Sequence, residues 1–309
     1  MKAVVSCSSV ELDPRSDALA LDDRSATGGK NVLNAFTIDL EEWFCVSNFE
    51  GVIKPEEWPN LESRVEDSTN AIIELLDRHQ VKATFFVLAW VAERHPDLIR
   101  SISDRGHEIA THGYGHRLVY ELTPSTFDED IERSLSVIRE ITGKSCIGYR
   151  APSFSLRRDM DWAWEVLNRH GIQYDSSIFP VVHDRYGEPD APRFPFEFRS
   201  GEHCCKEFPM STVTRWGKNL PVAGGGYLRL YPYWLTRWAI RKINHEGHPA
   251  MVYIHPWEVD PQQPRPAVSK LKLMRHRIGM STVMRKLEKL LQDFSFGPAC
   301  HVLDRALSS

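Results

Sequence analysis

The sequence lacks the cysteine pattern that would make it a disulfide scaffold or a zinc ribbon. Its six cysteines, Cys7, Cys45, Cys146, Cys204, Cys205 and Cys300, include no C-x-x-C pair and show no framework spacing, so a reduced compartment is expected. It also lacks an excess of charge. With 38 Lys and Arg against 42 Asp and Glu, the net charge of -4 gives no footprint for nucleic acid, and no run of like charge marks a membrane or polyanion patch. There is no long apolar run. The longest, Ala83 to Ala92, is interrupted by Thr84 and is too short to span a bilayer. The first residues lack the basic start and apolar stretch of a signal peptide, so a cytoplasmic location is expected. Gly224-Gly225-Gly226 is followed by no Lys-Ser/Thr, which weakens a phosphate-cradle reading; a tight turn or close backbone approach fits better. No internal repeat marks a solenoid.

What is present is organised around Thr111-His112-Gly113-Tyr114-Gly115-His116. Two imidazoles at i and i+4 on one helical turn share a face and can hold one divalent metal. The two glycines disfavour a long helix, so a single turn at the mouth of a strand is expected. A metal site needs further groups to converge on it; alone, such a pair also fits two unrelated histidines.

Residues 1–30, rich in Ser, Asp, Ala and Gly without apolar period, read as a disordered leader. Strands are then expected at Asn34–Phe44, Val81–Val87, Gly106–Ala110, Ile147–Pro152, Ile172–Ser177 and Ala250–Ile254. Between them lie helices: one capped by Ser68 or Thr69, one through Val91, Leu98 and Ile102 broken near Pro96, one opened by Thr123-Pro124, and one ended by Gly171. A helix from Tyr233 to Ile243 and a closing one from Arg285 to Phe294 follow the looser, proline-punctuated stretch from Val181 to Leu230. The alternation predicts a parallel βα architecture with its site at the carboxyl ends of the strands. Asp39, His112, His116, Arg150, Asp175 and His255 all fall at such ends. Burying the carboxylates of Asp39-Leu40-Glu41-Glu42 requires a cation, metal or arginine, nearby, although one of the two glutamates can sit in solvent.

Taken as a set, five ordered segments resemble the polysaccharide deacetylase superfamily (NodB-homology, carbohydrate esterase family 4). They are Thr37-Ile38-Asp39-Leu40-Glu41-Glu42, His112-Gly113-Tyr114-Gly115-His116, Tyr149-Arg150-Ala151-Pro152-Ser153-Phe154, Tyr174-Asp175-Ser176-Ser177 and Tyr253-Ile254-His255-Pro256-Trp257-Glu258. Within it, Gly224-Gly225-Gly226-Tyr227-Leu228-Arg229 and His255-Pro256-Trp257-Glu258-Val259-Asp260-Pro261 resemble the branch found with exosortase/PEP-CTERM exopolysaccharide loci. The resemblance implies an α/β fold, a distorted (β/α)7-type barrel, as one domain over residues 31–300 with a branch-specific C-terminal region from about 190.

It also implies a hydrolase that removes N-acetyl groups from a sugar in a bacterial exopolysaccharide or its lipid-linked precursor, met at the inner face of the membrane. The implied cofactor is a divalent metal, zinc on this ligand set, held by Glu41, His112 and His116. Asp39 would be the base, Arg150 its partner, His255 the acid and Asp175 the group tuning His255. Ser153, Tyr149 and Trp257 would serve substrate or oxyanion. The family has adjacent aspartates where Asp39-Leu40 stands here, so the carboxylate ligand falls to Glu41, with Glu42 as the fallback; Asp39 and Glu41 share a face in an extended segment. Two other readings stay open. One is hydrolysis of a small cyclic amide or ureide, as in allantoinase-like members, which a closed pocket would favour over an open aromatic groove. The other is a non-catalytic glycan-binding partner of a polysaccharide assembly complex, which would need neither base nor acid.

Overall fold

The computed structural model describes residues 32–46, 49–183, 185–222 and 224–308. The expected leader and Cys7 lie outside the described residues. The chain runs β1 (Leu33–Leu40), α1 (Val65–Arg78), β2 (Thr84–Val87), α2 (Ala89–Arg94), α3 (Pro96–Asp104), β3 (Glu108–Thr111), α4 (Pro124–Thr142), β4 (Gly148–Tyr149), α5 (Asp161–Arg169) and β5 (Tyr174–Asp175). The second half adds β6 (Phe196–Ser200), β7 (His203–Glu207), β8 (Thr212–Arg215), β9 (Lys218–Pro221), α6 (Gly225–Leu230), α7 (Tyr233–His245) and β10 (Met251–Ile254). It closes with α8 (Lys270–Arg277), α9 (Met280–Asp293), β11 (Ser295–Gly297) and α10 (Ala299–Leu307).

The fold is mixed α/β with a curled, half-barrel sheet. The strand order is β10-β1-β2-β3-β4-β5-β7-β6, with β11 pairing β1 beside that path. All neighbours are parallel except the β6–β7 hairpin. Strand β1 sets the two faces of the sheet. It is buried along nearly its whole length, as parallel strands covered on both faces are. Phe36, Ile38 and Leu40 point outward into the cluster formed with Ile72, Val91, Ile99, Ile240 and Leu287 from the surrounding helices. Ala35 joins the inner cluster with Phe86, Ala110, Phe208 and Met251. The period of two then carries Thr37 and Asp39 to that same inner face.

Several local expectations change for identifiable reasons. Helix α1 starts at Val65, without a side-chain cap of its own; Ser68 and Thr69 are buried inside it. Its first free N–H groups are instead satisfied by Glu42, whose carboxylate accepts from Arg64 N and Val65 N at 3.2 and 3.3 Å. A carboxylate there also faces the positive end of the helix. Pro96 splits the next helix into α2 and α3 as expected, serving as the first residue of α3. Strand β4 is only two residues long, because the chain leaves the sheet at Arg150 and turns through Pro152–Phe154. The loose stretch from Val181 to Leu230 contains two antiparallel hairpins, β6–β7 and β8–β9. No described helix is long and apolar enough to cross a membrane.

Candidate active site

The inner face of β1 ends at Asp39, 2 % exposed, and the chain just beyond it carries Glu41 and Glu42. Arg150, leaving β4, crosses the inside of the half-barrel fully buried. Its Nη1 donates to Asp39 Oδ1 at 2.5 Å and to Thr37 Oγ1 at 3.0 Å. Its Nε donates to the Ser176 carbonyl at 3.0 Å, and its guanidinium carbon lies 4.0 Å from the Phe86 ring centre. Every nitrogen of this buried cation is used, which a buried charge requires. It is not the surface salt bridge that an isolated arginine would suggest.

Glu41 stands on the other side of Asp39. His116 Nε2 approaches Glu41 Oε2 to 2.7 Å and His112 Nε2 lies 4.0 Å from the same oxygen. One donor atom from each of these three residues falls within 4.8 Å of the others. The His112 Nδ1 meets the Arg150 carbonyl at 2.8 Å, which fixes the tautomer that leaves Nε2 as a ligand. Burial pulls the His112 pKa down to about 4, so it is neutral at pH 7. For Glu41, burial opposes the charged form, but His116, His255 and His112 outweigh it and hold the carboxyl at about 2. Glu41 Oε2 is buried without an aligned hydrogen-bond donor, while Oε1 accepts the Trp257 indole N–H at 3.1 Å. A charged, orphaned oxygen beside two imidazole nitrogens fits a divalent metal.

The histidine pair does not lie on a helical turn. Strand β3 stops at Thr111, and the loop is bent by Gly113 at φ +75° and by His116 itself at φ +53°. A non-glycine residue there stores about 1–3 kcal/mol. Asp130 of α4 holds the loop, accepting Tyr114 N and Gly115 N at 2.7 and 3.2 Å. A Cβ on Gly113 would meet Asp130 Oδ2 at 2.8 Å. Nothing in the sequence pattern singles out Asp130, because its partners are backbone groups of a distant loop.

His255 follows β10, the neighbour of β1 on the side away from β2. Its Nε2 faces the same space, 3.8 Å from both Asp39 Oδ2 and Glu41 Oε1. Its Nδ1 is bound by Glu258 Oε1 at 2.6 Å, and Glu258 Oε2 accepts Arg229 Nε at 2.8 Å. Burial works against a charged imidazole; the Glu258 bond and the charges of Glu41 and Asp39 overcome it and raise His255 to about 9.

Four expectations are corrected. Asp175 does not serve His255. It accepts from Ser177 N and Ser177 Oγ at 2.7 and 2.8 Å and sits beside Glu207, where burial raises it to about 6; Ser177 in turn accepts Ala151 N at 2.8 Å. Asp175 therefore braces the loop after Arg150. Tyr149 points away from the site: its ring is buried, edge-on to Phe127 at 5.9 Å. Trp257 is 7 % exposed, stacks on His255 at 4.9 Å and serves Glu41 rather than a substrate. Glu42, the fallback ligand and one of the two glutamates allowed to sit in solvent, is instead buried with Ser63 and the start of α1. Ser153 follows Pro152 with φ +52°.

Residues 58–174 match the polysaccharide deacetylase family, and residues 176–304 match a domain of unknown function, DUF3473. Among curated proteins, the peptidoglycan deacetylase of Helicobacter pylori is 28 % identical over 48 % of this chain and 50 % of its own length. The chitooligosaccharide deacetylase of Rhizobium leguminosarum bv. trifolii is 35 % identical over 33 % of this chain and 44 % of its own. The chain thus spans half or less of the length of these relatives. A solved Mycobacterium smegmatis structure, assigned to the polysaccharide deacetylases, is 20 % identical with a TM-score of 0.60 and covers 96 % of both chains; it shows the shared fold. A polysaccharide deacetylase domain, of the NodB-homology, carbohydrate esterase family 4 kind, is thus found over residues 58–174.

Proposed function

We propose that the chain is a metal-dependent hydrolase that removes N-acetyl groups from a bacterial exopolysaccharide or its precursor. The observation that carries this is the convergence of Asp39–Arg150, of Glu41, His112 and His116, and of His255 at the carboxyl ends of β1, β3, β4 and β10. Glu41, His112 and His116 would hold a divalent ion, zinc on this donor set. When bound, such an ion polarises the acetyl carbonyl and lowers the pKa of water from 15.7 to about 7.

The protein groups then divide the proton transfers. Arg150 occupies Asp39 Oδ1, leaving Oδ2 to take the proton of the attacking water. His255 Nε2 lies 3.8 Å from Asp39 Oδ2, so acid and base face one point of the site from two sides. Held charged by Glu258, His255 gives its Nε2 proton to the departing sugar amine. The Ser153 backbone N–H is assigned to the developing oxyanion. Phe154, the next residue in the chain, lines a cavity of about 370 Å³ with Tyr120, Tyr186, Arg157 and Arg185. Aromatic faces of this kind favour sugar rings over a small cyclic amide. The deciding assay is acetate release from N-acetylhexosamine oligomers and from lipid-linked saccharides, with and without chelator. Release that survives complete metal removal, or none from any N-acetylated glycan, overturns the reading.

Glu258→Gln tests the acid. Without the carboxylate charge His255 loses its main support, so its pKa falls from about 9. The protonated acid is present below that pKa and lost as pH rises through it. The alkaline limb of kcat/KM should therefore move to lower pH, with a loss of roughly 10–100-fold at pH 8. An unmoved limb would detach Glu258 from His255.

A further inference from the structure

From Phe208 to His245, and again from Pro261 to Leu287, the sequence contains neither Asp nor Glu. The acids between these stretches, Glu258 and Asp260, are buried against Arg229 and Arg64; Glu246 closes α7 against Arg193 and Lys242. The cations are spaced singly, which is why no run of like charge shows in the sequence. The fold places many of them on α6, α7 and α8. Helix α7 buries Thr236, Ala239, Ile240 and Ile243, yet its solvent side is apolar too: Trp234 is 67 % exposed and Trp238 40 %. Spaced i, i+4 and i+7, Trp234, Trp238 and Arg241 form one stripe. Arg241 ion-pairs with no acid among the described residues.

Helix α8 has the same character. Leu271, Met274 and Ile278, at i, i+3 and i+7, are 52, 56 and 43 % exposed, and Lys270, Lys272 and Arg275 are exposed between them. The two helices are joined through α6: Arg229 Nη1 donates to the carbonyls of Arg275 and His276 at the end of α8. The next residue, Leu230, is 57 % exposed and leads through Tyr231 and Pro232 into α7. Large exposed apolar side chains in contiguous elements mark an interaction site.

We propose that this α6–α7–α8 surface docks on an anionic lipid bilayer. Trp234, Trp238, Leu230 and Met274 would enter the boundary between headgroups and acyl chains, and Arg241 and Lys272 would face lipid phosphates. Tryptophan and aliphatic side chains set among cations, on helices that carry no acid between Gly225 and His245 or between Lys270 and Ile278, are the composition of interfacial helices. Single basic residues near an anionic leaflet add to that attachment. An anionic glycan would use the aromatic faces and the cations but not the exposed leucine, methionine and isoleucine. The surface requires neither metal nor substrate, so it stands apart from the deacetylase reading.

Flotation of the full chain with lipid vesicles tests it. Binding is expected to phosphatidylcholine–phosphatidylglycerol vesicles and not to pure phosphatidylcholine, weakening with salt. Trp234→Ser with Trp238→Ser, and separately Arg241→Glu with Lys272→Glu, should each lower the partition by about tenfold or more. Far-ultraviolet circular dichroism should show both variants folded. The proposal is overturned by absence of binding to anionic vesicles. It is overturned equally by binding that both pairs of substitutions leave intact, by equal binding to a soluble anionic polysaccharide, or by a dimer that the Trp substitutions dissociate, which would assign the face to a second copy.

Discussion

His116→Ala and His116→Gly are both expected to lose the metal and essentially all turnover while keeping the fold. His116 Nε2 is the donor nearest to Glu41 Oε2, at 2.7 Å, and an open three-ligand site cannot spare one donor. The two variants differ in a useful way. The backbone at position 116 has φ +53°, a region costly for any side chain and free for glycine. His116→Gly should therefore be at least as stable as the parent apoprotein, by up to about 1 kcal/mol, and His116→Ala no better. A residue kept in strain only for its imidazole behaves this way; a structural histidine would not. Metal content of the purified proteins, with chemical denaturation, separates the cases. Full metal content in either variant would remove His116 from the site.

The carboxylate ligand can be resolved in the same experiment. Glu41→Gln should lose most metal affinity, because ligands must be ionised to bind well. Glu42→Gln should keep it and lose only about 1 kcal/mol of stability, since its carboxylate caps α1. Wild-type affinity in Glu41→Gln, with a loss in Glu42→Gln, would reverse the assignment.

The strand ends were readable because a buried parallel strand is an apolar run that stops abruptly at polar residues. Asp39, His112, Arg150 and His255 all sit at such stops. The fold class was readable for the same reason, reinforced by helix signals such as Thr123-Pro124 and Gly171. What could not be read is which polar groups meet across the barrel. Asp175 and Glu258 are both acids near strand ends, and only the path of β10 into the turn at Pro256–Val259 brings Glu258 under His255. Glu42 looked solvent-facing because its partners are backbone N–H groups of a helix more than twenty residues away. Tyr149 and Trp257 were misplaced because side-chain direction at a two-residue strand and at a 3-10 turn follows no simple period. The hairpins β6–β7 and β8–β9 escaped notice because they lie at or beyond the sheet edge, where the apolar alternation is weak.

Asp39→Asn is expected to keep the metal ligands in place and to lose about 10²–10⁴-fold in turnover, the usual worth of a general base. The substitution preserves shape, so Arg150 can still donate to the amide oxygen where Oδ1 was. The amide cannot accept a proton at the other position, the one that faces His255 across 3.8 Å. A second consequence follows from burial. Arg150 is fully buried, and Asp39 is its carboxylate partner at 2.5 Å. Removing one charge of such a pair leaves the other uncompensated, at a cost of about 3–5 kcal/mol. The Phe86 face and the Ser176 carbonyl remain to Arg150, which places the expected loss toward the lower end of that range. The variant should thus unfold at lower denaturant while holding as much metal as the parent. Arg150→Met with Asp39→Asn should recover part of that stability, because neither charge is then buried alone, and should recover no activity. If Asp39→Asn instead loses the metal, Asp39 is a ligand and the base must be sought at Glu41. If it retains turnover within about threefold, the proton leaves the water by another route and the roles drawn around Asp39 fail.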